Sequence, residues 1–180
     1  MIKKFSIALI GVAVLAMSFS MIQNWNIAES HKIAFKIKSA MGMVDGTIGG
    51  LKGTVSFDAA DPARSSMNVT LDLATVTTGN AKRDKDIKEE DTWFDIAKYP
   101  KIAFKSNSVS KTAAGYTVDG QLTIKGTEKK VQIPFTFVDA ATGGTFVGAL
   151  KLNRLDYKVG KSSVMVKDTV EVTIKVPVRK

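Results

Sequence analysis

One histidine, no cysteine and 17 carboxylates bound the chemistry open to this 180-residue chain. His31 shares the parity of the apolar residues Ile33, Phe35 and Ile37. A lone histidine in that position suits packing or a strand-end hydrogen bond; a metal would need companion ligands, and here only carboxylates could supply them. A Ser-His-Asp hydrolase would also use His31, but the Gly-x-Ser-x-Gly elbow is absent. Walker-type and dinucleotide glycine motifs are absent too. Glu89, Glu90 and Asp91 form a carboxylate run that reads as a solvated loop. No catalytic residue, metal ligand or cofactor is therefore expected.

The cations are more informative. Asn80–Lys88 reads as a short helix with Asn80 as its N-cap. Lys82 and Arg83 then occupy its first turn, against the helix dipole, and Asp84 and Asp86 offset them in part. Two roles for Arg83 follow. It pairs with Asp84, Asp86 or Asp72, or it joins the helix N-terminus in attracting an acidic head group. The adjacent aromatics Trp93 and Phe94 close the same stretch, Thr75 to Pro100, the longest without strand patterning after the N-terminus.

Strand patterning dominates from His31 onward, as alternation of apolar and polar residues. Ile33, Phe35 and Ile37 share one face and Lys32, Lys36 and Lys38 the other. Val44, Gly46 and Ile48 have one phase, but Leu51, Val55 and Phe57 have the opposite one. The change at Gly49-Gly50 predicts one long bent strand or two short ones. Further strands are expected around Val69 and Leu71, Phe104, Val118 and Leu122, Phe135 and Phe137, Phe146 to Leu152, and Val172 with Ile174. Pro134 predicts an edge strand or a local irregularity. About eight strands joined by short turns, with one helical interruption, predict an all-β, eight-stranded antiparallel barrel. An interior of that size is filled by side chains or holds one small ligand.

The N-terminus reads differently. Lys3 and Lys4 precede the apolar run Phe5–Met17, and Ser18 and Ser20 follow it. This is the pattern of a cleaved signal peptide over residues 1–20, leaving one domain at 21–180. The apolar run is shorter than the ~20 residues of a membrane-spanning helix. Export without cysteine points to the periplasm, with secretion as the alternative. The net charge of +9 suits anionic lipid surfaces or polymers. Nucleic acid is not expected, because aromatics are not interleaved with the basic residues.

Several stretches carry a further signal: WNIAESHKIAFKI at Trp25–Ile37, VDGTIGGLKGTVSFD at Val44–Asp58 and TGNAKRDKDIKEEDTWFDIAKYPKIAFKS at Thr78–Ser106. DGQLTIKGTEKKVQIP at Asp119–Pro134 and LNRLDYKVG at Leu152–Gly160 continue it. In order and over the whole of 21–180, the chain resembles the YceI-like family of exported bacterial proteins. The resemblance implies a lipocalin-like barrel holding a long apolar molecule, a polyisoprenoid or a fatty acid derivative. Two positions depart from the family pattern: Lys32 follows His31 where serine is usual, and Trp93 precedes Phe94 where a phenylalanine pair is common.

The expected binding set is then Ile33, Phe35, Ile37, Val69, Leu71, Phe104, Val118, Leu122, Phe135, Phe137, Phe146, Leu150 and Leu152, joined by Val172 and Ile174. Arg83 is expected at the head group, and Trp25, Trp93 and Phe94 at the rim. The expected function is binding or transport of an isoprenoid or acyl lipid, not catalysis. The alternatives are an accessory enzyme on a lipid-linked substrate with His31 as general base, and a stress-related structural protein with a filled core. An anionic membrane surface and a second copy of the chain complete the partners considered.

Overall fold

The computed structural model describes residues 22–180; the expected signal peptide lies outside the described residues. Ten strand segments form a single antiparallel sheet. They are β1 (Asn24–Ile27), β2 (Lys32–Ser39), β3 (Gly42–Ile48), β4 (Lys52–Ser56) and β5 (Ser66–Asp72), then β6 (Lys101–Thr112), β7 (Gly115–Ile124), β8 (Thr127–Ala140), β9 (Gly143–Asn153) and β10 (Val166–Arg179). One helix, α1 (Ala81–Glu89), interrupts them. Two pairs of segments, β1–β2 and β3–β4, are each one bent strand, so the closed barrel has eight strands.

Closure is made by β10. Its length lets it pair with β2 through Val170–Lys175 and then with β1 at Val178 and Arg179, while β9 runs along its other side. The bend in β3–β4 falls at Gly49-Gly50, where the alternation changes phase. Gly50 has φ +65, and a Cβ there would meet the Asp72 side chain at 2.6 Å, so the bend needs glycine. Beyond it β4 continues the ladder to β5, whereas β3 diverges from β5. The chain from Leu73 to Thr77 fills that space: the Asp72 N–H donates to the Gly49 carbonyl, and Thr47 and Thr77 exchange backbone bonds at 2.9 and 3.0 Å. Leu73 and Val76 are fully buried beneath it.

His31 ties the two bends together. Its Nδ1 lies 2.9 Å from the Ala28 carbonyl, and its Nε2 accepts the Leu51 N–H at 3.0 Å. Nδ1 therefore carries the proton, and both ring nitrogens are engaged by backbone. The residue is a strand-junction brace.

The expectation for Pro134 is met by irregularity, not by an edge. β8 is flanked on both sides, but its ladder to β9 begins only at Phe135–Gly148. From Pro134 back to Lys129 the strand pairs with β7 alone, and Ala149–Asn153 pairs with β10 alone. A proline has no N–H for the ladder, so pairing stops where it stands.

Removing the His31 ring leaves the Leu51 N–H without its acceptor. His31→Ala is expected to destabilise the fold by about 1–3 kcal/mol, read as a lower denaturation midpoint in urea. A midpoint equal to that of the wild-type chain would remove the brace assignment.

Candidate functional site

Inside the barrel lies a cavity of about 420 Å³, within the ~300–1,000 Å³ typical of ligand pockets. Its walls are overwhelmingly apolar. The exposure pattern along β10 shows where it is hollow. Outward Lys167, Thr169, Glu171, Thr173 and Lys175 are exposed, and inward Val170, Val172 and Ile174 are half-buried, whereas Val176 and Val178 are fully buried. Side chains that face inward yet stay accessible line open space. The barrel is thus hollow toward the α1 end and filled at the other.

The filled end is an aromatic floor. Phe57, only 1 % exposed, stands among Tyr116, Phe135, Phe137 and Phe146 with ring centroids 5.0–5.7 Å apart. Trp25 stacks obliquely on Phe137 at 5.1 Å and donates its indole N–H to the Phe57 carbonyl at 3.1 Å. Tilted and edge-on contacts of this kind suit the ring quadrupoles.

This geometry sorts the expected site residues. Ile33, Phe35, Ile37, Val69, Leu71, Phe104, Val118, Leu122, Leu150, Leu152, Val172 and Ile174 face the cavity, with Phe135 and Phe146 at its floor. Arg83, Trp93 and Phe94 line its α1 end. Phe137 does not line it: its ring packs over Gly144 and against Trp25 and Phe57. Trp25 is not at the rim; it is 8 % exposed and belongs to the floor at the opposite end. His31 does not line the cavity.

The polar groups gather at the α1 end, which forms the mouth. Arg83 reaches Thr78, with Nε on the hydroxyl at 2.7 Å and Nη2 on the carbonyl at 3.2 Å, and makes none of the expected carboxylate pairs. Asp84 instead accepts from the Thr77 hydroxyl at 2.7 Å and from the N–H and hydroxyl of Thr78 at 2.7 and 2.5 Å. Burial raises its carboxyl, but the Thr78 and Thr77 donors outweigh that and hold it below its ordinary value. As expected, Asn80 caps α1, accepting from the Arg83 N–H at 3.0 Å. Asp86 and Ile87 turn the next face of the helix to the cavity.

Opposite α1 stands Arg154, which the sequence reading did not single out although it lies within LNRLDYKVG. It is 5 % exposed, and every guanidinium nitrogen is used. Nε donates to the Lys167 carbonyl (3.0 Å) and Nη1 to that of Val159 (2.9 Å); Nη2 reaches the carbonyls of Lys161 and Val166 (2.9 and 3.1 Å) and Asp168 Oδ1 (3.1 Å). Trp93 covers it, with the guanidinium carbon 5.7 Å from the ring centroid. The Gly160 N–H donates to the Thr92 carbonyl at 2.6 Å beside them. Lys125, from the β7–β8 turn, ties the same parts by donating to the Asp91 and Lys158 carbonyls at 2.5 and 3.0 Å. Burial pushes that ammonium below its ordinary value, against the pull of Asp91 and Asp95. Only its buried donor set marks Arg154 out, and that is invisible to a strand-parity reading.

A second, shallower opening flanks the cavity where β8 and β9 part. It is lined by Lys129, Lys130 and Gln132 on one side and by Leu150, Lys151 and Leu152 on the other; Leu150, Leu152, Val172 and Tyr157 border both spaces. Among the described residues, no group of three His, Cys, Asp or Glu side chains is placed to hold a metal.

Lysine has one charged nitrogen and cannot serve the carbonyls of Val159, Lys161, Val166 and Lys167 together. Arg154→Lys is expected to cost about 3 kcal/mol and to speed amide exchange selectively across residues 158–168. Unchanged exchange in that loop would show that Arg154 does not organise it.

The comparisons with known proteins agree with this architecture. The family model for the YceI-like domain matches residues 25–178. A UPF0312 protein of Pseudomonas savastanoi pv. phaseolicola is 38% identical over 143 residues, 76% of this chain and 74% of its own. The protein YceI of Escherichia coli is 38% identical over 88 residues, 49% of this chain and 46% of its own. Among solved structures, Burkholderia cenocepacia BcnA superposes with a TM-score of 0.79 at 27% identity, covering 86% of this chain and all of that one. A polyisoprenoid binding domain from Saccharophagus degradans has the same fold, with a TM-score of 0.65 at 14% identity over 88% of this chain and 99% of that one. With the family model matching from the first strand of the barrel to the last, the chain belongs to the YceI-like domain family.

Proposed function

We propose that this protein binds and carries a lipid with a long apolar chain, a polyisoprenoid or fatty acid derivative, in the barrel interior. The observation that carries this reading is the half-hollow lumen: an apolar cavity of about 420 Å³ with its polar groups at one end. Each Å² of apolar ligand surface taken from water there contributes about 25 cal/mol. The ligand's tail would run toward Phe135 and Phe146, and its head would rest at the mouth near Arg83. The polyisoprenoid binding domain of the same fold supports the ligand class. The signal-like N-terminus supports action in the periplasm after removal of residues 1–20, with 21–180 as the working domain. Catalysis by His31 gains no support, because backbone groups occupy both its nitrogens outside the cavity.

The test is native mass spectrometry on protein purified from its own export compartment. A bound mass that organic solvent releases as a lipid is expected. Protein that carries nothing and takes up neither added isoprenoids nor fatty acids would overturn lipid carriage. Arg83→Glu is expected to weaken acidic-headed ligands about tenfold or more while sparing neutral-headed ones of equal chain length. Equal loss of both would remove the head-group role.

Cavity size is set partly by Gly46. It stands opposite Phe35, and a Cβ there would lie 2.2 Å from the tip of that ring. A larger residue must drive the ring into the lumen. Gly46→Leu is expected to weaken long-chain ligands roughly tenfold, the worth of about two displaced methylenes, in a titration with a fluorescent fatty acid. Retained affinity would place the chain elsewhere.

A further inference from the structure

Seven large apolar residues are exposed among the described ones, and four of them meet at the mouth: Met41 (93 %), Val164 (90 %), Met43 (54 %) and Met165 (52 %). Met41 tops the β2–β3 hairpin and Met43 follows it; Val164 and Met165 belong to the loop before β10. The two tips adjoin, since the Ala40 N–H donates to the Met165 carbonyl at 2.8 Å and Ser39 registers with Val166. Isolated exposed side chains need no explanation, but a cluster does. This cluster continues the cavity wall, because Ser39, Val44 and Val166, directly below it, line the lumen.

Its electrostatic setting is basic. The same two segments carry Lys38, Lys158, Lys161 and Lys167. Their carboxylates are already matched: Asp45 pairs with Lys36 at 3.3 Å and Asp168 with Arg154 at 3.1 Å. Exposed apolar tips on segments that carry lysines suit the boundary of an anionic bilayer, where apolar insertion and charge attraction add.

We propose that this rim is a membrane-docking surface, on which Met41, Met43, Val164 and Met165 enter the outer layer of an anionic bilayer and bring the lumen mouth to the lipid. The inference rests on the lipid-carriage reading for its purpose, but not for its test. The full mature chain is mixed with phosphatidylethanolamine–phosphatidylglycerol vesicles, or with phosphatidylcholine vesicles, and floated on a density gradient. Binding to the anionic vesicles is expected, weakened by salt as charge screening requires. The double variant Met41→Ser/Val164→Ser is expected to lose about tenfold or more in partitioning. Lys161→Gln is expected to lose about fivefold. None of these residues lines the cavity, so both variants should take up a fluorescent fatty acid added from ethanol as the wild type does.

Failure of the wild type to float with anionic vesicles overturns the proposal. So does a double variant that floats equally well, or a chain that the double variant converts from dimer to monomer without vesicles present, which would make the patch a self-association surface. Vesicle binding that depends on the rim in a protein that takes up no fatty acid supports the docking surface and defeats lipid carriage alone.

Discussion

Closure of the sheet governs everything else in this molecule. An antiparallel sheet of eight strands has two edges unless its first and last strands meet, and exposed edges invite pairing with other chains. Here β10 meets the first strand twice, along β2 and again along β1, because that strand bends between Ile27 and Lys32. The second strand must bend at the same level, which it does at Gly49-Gly50. His31 links the bends by spending one nitrogen on each. A single imidazole with two backbone bonds thus ties together the two bends on which closure depends.

The bends also divide the interior. On one side of them β1, β4 and the ends of β7 to β10 converge on Phe57 and its aromatic neighbours, and the space is filled. On the other side β3 swings away from β5, the segment Leu73–Thr77 fills the gap in the wall, and the lumen opens. Packing at the floor carries stability, as dense aromatic contact does. The hollow half forgoes that packing, which is consistent with a fold that keeps room for something other than its own side chains. Pro134 works in the same direction, ending the β8–β9 ladder and parting the wall beside Leu150 and Leu152.

Period-2 alternation made most of this legible, because in a barrel it maps directly onto in and out. It identified the inward faces of β2, β5 to β7, β9 and β10 and the phase change at Gly49-Gly50, while residue type marked the cap at Asn80. It carries no information about height along the barrel axis. Phe137 and Trp25 have inward parity but lie at the floor, and nothing in their local sequence distinguishes that from the rim. Strand β1 was too short to show a period. Arg154 was hidden for another reason: five hydrogen bonds to Val159, Lys161 and the start of β10 are a tertiary fact, and a buried arginine looks in sequence like any surface one.

The two sides of the mouth differ in how firmly they are held. The Thr92–Asp95 side is locked through Trp93 on Arg154, Thr92 on Gly160 and Lys125 on Asp91, so opening there would break several bonds at once. Helix α1 has no fully buried residue. Its first turns hydrogen-bond to the neighbouring Thr77 and Thr78, which reach the barrel through the bridge to Thr47, and its Ile87 and Lys88 carbonyls accept from the N–H groups of Phe94 and Ile96. The last turn of the helix is therefore tied to the same segment that Trp93 fixes on Arg154. Elements with few buried contacts open at the lowest free-energy cost. The long stretch that interrupts the strands is then one connected cover, held most firmly around Trp93 and least at the first turns of α1.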